Sequence, residues 1–131
     1  MLCCIAFAVY VISVCLLCLT DLSNGPEIKS EWFGIQADKI AHFLMFFPFP
    51  VFMTIIFGNS RWSTGKFLFF ITVSVIIGAA SGGAIELLQA ETGYRSCDIN
   101  DFRADCLGVA SGALLTVAVK YLPGKKKKTG K

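Results

Sequence analysis

Charged residues are missing from three long stretches of the chain and from one shorter one. Met1 to Thr20 carries none. Ile40 to Ser60 is a run of 21 residues between Lys39 and Arg61, and Phe67 to Ile85 is a run of 19 between Lys66 and Glu86. Cys106 to Val119 is only 14 residues long, between Asp105 and Lys120. A helix needs about 20 mostly apolar residues to cross the hydrocarbon core of a bilayer. The first three runs meet that length; the fourth reaches it by taking in a polar first turn that carries Arg103 and Asp105. Long apolar segments without a period-2 alternation exclude a transmembrane barrel. The pattern predicts an all-α integral membrane protein with one domain, 1–122, of four transmembrane helices at about 2–20, 39–58, 66–89 and 102–122, followed by a basic tail, 123–131.

Pro48 and Pro50 fall in the middle of the second helix, and each removes a backbone donor, so a kink is expected there. The loop from Asp21 to Asp38 has room for a small helix placing Trp32 and Phe33 at the membrane interface. The first segment lacks a basic start and an A-x-A cleavage site, so it reads as a membrane span and not as a cleaved leader.

Composition agrees. Of 131 residues, 55% are hydrophobic and 16% charged, with a mean hydropathy of +0.67. That charged share is below the roughly 25% that soluble domains carry, and disorder is excluded by the apolar, aromatic-rich composition. The net charge of +3 is small, but its distribution is informative. Arg61, Lys66, Lys120 and the tail lysines 125–128 and 131 fall on one side of a four-helix topology, whereas all nine acids fall on the other with Lys29, Lys39, Arg95 and Arg103. The positive-inside rule then predicts N-in, C-in. The tail lysines serve as a topology signal facing anionic lipid headgroups, and nothing suggests nucleic acid as a partner.

The polar residues inside the spans converge. Asp38 and His42 are four apart, with Lys39 beside them. Glu86 and Gln89 are three apart near the end of the third helix. Asp98, Asp101 and Asp105 follow at steps of three and four at the start of the fourth. Such spacings share one helix face. Three helices therefore bring carboxylates, an imidazole and an amide to one depth near the outer surface, with Arg95 and Arg103 nearby. Ionisable groups inside a membrane are costly and point to function. The blander reading makes Asp98 and Asp101 the cap and first-turn charges of the fourth helix, Glu86 the ion partner of Arg95 or Arg103, and His42 an interfacial residue. Gly78 with Gly82, and Gly108 with Gly112, are small-xxx-small steps in line with the acids; they predict close packing of the third helix on the fourth. Cys15-x-x-Cys18 lies in an apolar span, where a thiolate is disfavoured, and reads as small hydrophobes.

The order Asp38-Lys39-Ile40-Ala41-His42-Phe43, Glu86-Leu87-Leu88-Gln89, Arg95 with Asp98 and Asp101, then Gly108 and Gly112, resembles the VanZ-like family of small bacterial membrane proteins. The family often has Asn where this chain has Asp105. The resemblance implies a multi-pass protein of the bacterial cytoplasmic membrane associated with resistance to teicoplanin or related glycopeptides. Two functions follow. The preferred one is an outward-facing site of Asp38, Lys39, His42, Glu86, Gln89, Arg95, Asp98, Asp101 and Asp105 that binds or acts on a cell-envelope precursor or glycopeptide, Arg95 or Lys39 pairing with an anionic group. The alternative is a non-catalytic scaffold in which these residues form an ion-pair network. No nucleophile signature and no cofactor motif is evident, which leaves catalysis open; a divalent metal at the carboxylates is compatible with the donors. Membrane lipids are the expected surroundings.

Overall fold

The structure, a computed structural model, describes residues 2–19, 31–32, 35–92 and 98–122. Helix α1 (Leu2–Leu19) is followed by the short strands β1 (Glu31–Trp32) and β2 (Ile35–Gln36), then α2 (Ala37–Phe46), α3 (Phe49–Phe57), α4 (Thr64–Thr92) and α5 (Ile99–Tyr121). Four segments are long and apolar enough to cross a membrane: α1, the α2–α3 pair, α4 and α5. At 1.5 Å per residue, the 29 residues of α4 reach about 43 Å, beyond a hydrocarbon core of about 30 Å. Its ends therefore extend into the interfacial layers. Where a small helix was expected before the second span, the described residues form an antiparallel pair, Glu31 opposite Gln36 and Trp32 opposite Ile35. The expected interfacial placement of Phe33 lies outside the described residues.

The second span is broken where the prolines fall. α2 stops at Phe46, the Phe47 N–H still reaching Phe43 O at 3.0 Å, and α3 starts at Phe49 with Phe52 N–H on Pro48 O at 3.0 Å. Pro50 stands in the first turn of α3, where the missing N–H would have had no helical partner. The break is therefore relieved within one turn.

Helix α5 forms the centre, packed on α2, α3 and α4. Val109 is fully buried and joins Phe46, Ile85, Val14 and Cys18 in one cluster; Phe67, Ile71 and Ala113 form another. Large apolar side chains such as Leu16, Phe69, Leu107 and Leu114 cover the outside, as lipid contact requires. α1 is peripheral: only Val14 and Cys18 are buried. It is tied in by Tyr10 OH donating to Met45 O, by Gln89 Nε2 donating to Cys18 O at 2.8 Å, and by Tyr10 stacked on Phe52.

The glycine steps divide their work. Gly78 lies against Val109 and Phe49, and Gly82 against Asp105, so the α4 glycines do face α5. Gly108 and Gly112 do not face α4. A Cβ at Gly108 would meet the backbone of Phe43 and Phe47, and one at Gly112 the backbone of Phe47 and the Pro50 ring. Bilayer lipid gives apolar helices no hydrophobic drive to associate, so backbone approach over small residues supplies the packing. An i, i+4 glycine pair announces such an approach without naming the neighbour, and the break in the second span supplied an irregular surface for α5 to enter.

Candidate functional site

His42 comes from α2, Glu86 from α4 and Asp105 from α5, and all three are buried. His42 Nδ1 is 2.9 Å from Asp105 Oδ1 and 3.9 Å from Glu86 Oε1. The close seating of α5 on α2 through Gly108 brings the imidazole to Asp105, one turn away; Gly82 on α4 leaves room for the Asp105 carboxylate, whose Oδ2 lies 2.8 Å from where a Cβ would stand. The glycines expected to mediate packing thus also open the space the acid occupies. A carboxylate on one ring nitrogen orients the imidazole and stabilises its protonated form, which equips the pair for acid–base work.

A second, more exposed layer lies beside it. Lys39 Nζ reaches Asp98 Oδ2 at 2.8 Å and Asp101 Oδ1 at 2.6 Å. Asp98 is the N-cap of α5, its Oδ1 accepting from Asn100 N–H at 2.8 Å, while its own N–H donates to Glu86 Oε2 at 3.2 Å. Asp98 therefore fills the capping role and also joins the network. The neighbouring Lys39 ammonium holds the Asp98 carboxyl below its ordinary pKa. A depressed carboxyl contributes stability above its unfolded-state pKa and loses it as pH falls through the folded value; being exposed, this one contributes little. Replacing Lys39 by Met is expected to return Asp98 toward an ordinary titration, read by carboxyl 13C NMR. Because Asp101 is buried, the same change should cost about 3 kcal/mol in thermal unfolding.

Three buried atoms of the inner layer, His42 Nε2, Glu86 Oε1 and Asp105 Oδ2, have no hydrogen-bond partner among the described residues. Buried polar atoms are normally paired, and each exception asks for a reason. Beside them, Glu86 and Asp98 line a cavity of about 660 Å³ between α4 and α5, otherwise walled by Ala80, Gly83, Ala84, Leu87, Ile99 and Phe102.

Other expected members are placed differently. Gln89 is buried but serves α1 through Cys18 O. Arg103 bonds Asn100 Oδ1 at 3.3 Å, not Glu86, because it projects from an exposed face of α5. Asp38 is half-buried and lies with His42 and Asp101 in a second group of neighbouring donor atoms. Arg95 lies outside the described residues, as do Cys97 and the basic tail. Among the described residues, the cation paired with Asp98 and Asp101 is Lys39, one residue from Asp38 in sequence. Its position on the first turn of α2 was the available signal. Cys18 is buried, and its thiol donates a weak sulfur hydrogen bond to Met45 Sδ at 4.0 Å.

Helices of membrane-spanning length with a histidine–carboxylate cluster buried between three of them define a multi-pass membrane protein with a polar intramembrane centre. The chain matches the model of the VanZ/LLP1 family over residues 7–120 and belongs to that family. Neither a curated protein nor a solved structure matches it.

Proposed function

We propose that the His42, Glu86 and Asp105 cluster, with the Lys39, Asp98 and Asp101 layer beside it, is a site at the outer membrane surface that binds or acts on a cell-envelope component, lipid-linked or glycopeptide-related. The observation that carries this reading is the set of buried polar atoms that lack partners among the described residues, next to a largely apolar opening between α4 and α5. Burying such atoms is destabilising, and a site kept at that cost is explained by a ligand. The groove suits a molecule with its apolar part in the bilayer and its polar end at Glu86 and Asp98. Charge distribution supports N-in, C-in in a bacterial cytoplasmic membrane, with this face outward. Family membership supports a link to glycopeptide resistance.

The test is teicoplanin susceptibility of cells expressing the protein at matched membrane abundance. His42→Ala and Glu86→Gln are each expected to remove any protection given by the wild type; protection unchanged in both variants would overturn the reading. Topology is checked separately by retaining Cys97 as the only cysteine and labelling intact cells with an impermeant maleimide. Labelling is expected, and protection until the cells are permeabilised would reverse the orientation.

The scaffold reading draws on the links between helices, Glu86 Oε2 with Asp98 N–H and Gln89 with Cys18 O. It requires the same substitutions to lower stability, and the two readings part on that measurement.

A further inference from the structure

His42, Glu86 and Asp105 each offer one donor atom, and the three atoms lie within 4.8 Å of one another. His42 and Asp105 are 0% exposed and Glu86 is 2% exposed. One oxygen of each carboxylate lacks a hydrogen-bond partner among the described residues. Lys39, the ammonium closest in the network, is engaged by Asp98 and Asp101. With the imidazole neutral, the two ionised carboxylates have no cation of their own among the described residues, which in a membrane interior is strongly unfavourable. One divalent cation brings the group to neutrality.

We infer that His42, Glu86 and Asp105 bind a divalent metal ion that accepts mixed nitrogen and oxygen ligands, Zn²⁺ foremost and Mn²⁺ next. One imidazole and two carboxylates suit these ions; Mg²⁺, which prefers all-oxygen shells, fits poorly. Ligands about 2.1 Å from an ion stand about 3.0 Å apart at right angles and about 3.4 Å apart at tetrahedral angles. The His42 Nδ1 separations of 2.9 Å from Asp105 Oδ1 and 3.9 Å from Glu86 Oε1 bracket those values, so a movement of the Glu86 carboxylate by less than about 1 Å closes the shell. The ion takes the place of the Nδ1 proton between His42 and Asp105, and the imidazole stays neutral by carrying its one proton on Nε2. The other donor group, Asp38, His42 and Asp101, is the poorer choice because Lys39 Nζ sits 2.6 Å from Asp101 Oδ1 and repels a second cation.

Three protein ligands leave at least one coordination position, and Glu86 opens onto the groove between α4 and α5. Open coordination is the arrangement of catalytic and ligand-binding zinc, not of purely structural zinc. A phosphate or hydroxyl oxygen of an envelope component would take that position; this last step, unlike the ion site, rests on the function proposed above.

The test uses the full chain in detergent, stripped with EDTA, reloaded with Zn²⁺ and desalted. About one Zn²⁺ per chain is expected by mass spectrometry, with a melting temperature that rises on loading. Mn²⁺ is expected to compete and Mg²⁺ not. Glu86→Gln retains the acceptor for Asp98 N–H and should fold, yet bind Zn²⁺ at least about a hundredfold more weakly, while Asp38→Asn should bind it as the wild type does. Folded wild type that retains neither Zn²⁺ nor Mn²⁺ and shows no shift in melting overturns the inference. Loss of metal in Asp38→Asn with retention in Glu86→Gln also overturns it. A metal-free protein whose protection against teicoplanin still depends on Glu86 removes the ion site alone; stoichiometric Zn²⁺ with no effect on susceptibility removes the envelope function alone.

Discussion

Alanine at Gly112 is expected to prevent accumulation of folded protein. The added Cβ would fall on the carbonyl of Phe47 and lie 3.2 Å from Pro50 Cδ. A backbone carbonyl and a proline ring cannot rotate aside, so α5 must withdraw from the broken second span. Gly108→Ala meets the same obstacle at Phe43 O, with Phe47 N at 3.2 Å. Withdrawal by even about 1 Å would separate His42 from Asp105 and empty the packing around Val109. The cost should be several kcal/mol, at the high end for a single substitution. Gly65→Ala is the control. It lies in the first turn of α4 with nothing within 4 Å, and the gain in helix propensity should make it neutral or stabilising by about 0.5–1 kcal/mol. Membrane yield and size-exclusion profiles of fluorescent fusions would read both. Wild-type behaviour of Gly112→Ala would contradict the seating of α5 on the break between α2 and α3. Gly82→Ala stands between these cases, because it meets the Asp105 side chain and not backbone. It should disturb the site more than the fold.

Glu86→Gln should leave the metal-free protein at least as stable as wild type, and by about 1 kcal/mol more stable, while abolishing function. Glutamine keeps the shape and the acceptor for Asp98 N–H, removes a buried charge, and offers an amide donor near His42 and Asp105. Replacing a poorly paired buried charge by a neutral group of the same shape is neutral or stabilising. Thermal unfolding in detergent with EDTA is the measurement. Melting well below wild type would favour the scaffold reading, in which Glu86 holds helices together. A stable variant without activity places the carboxylate in a site whose requirements conflict with stability.

Much of the fold is legible in the chain because lipid imposes one rule on every span: apolar length, with the backbone satisfied internally. The charge gaps locate all four membrane segments, and Pro48 and Pro50 mark the break between α2 and α3. The candidate site is legible in part for a related reason. An acid or a histidine inside an apolar span is conspicuous, and steps of three and four put Asp38 with His42 and Asp101 with Asp105 on common faces. Arg103 and Gln89 were less legible. Both are spaced to reach the acids, but Arg103 projects outward to Asn100 and Gln89 turns to the end of α1. Helical spacing gives direction around one helix and says nothing of the rotation of its neighbour.

The sequence by itself therefore determined that this is a four-span membrane protein with its acids gathered toward one end, because hydropathy and charge act residue by residue against a fixed solvent. Only the tertiary structure decided which acid meets the histidine, that Lys39 serves Asp98 and Asp101, and that Gly108 and Gly112 receive the broken second span and not α4. Those outcomes depend on how closely backbones approach and how helices turn about their axes, and both are set by the mutual fit of small residues on three helices at once.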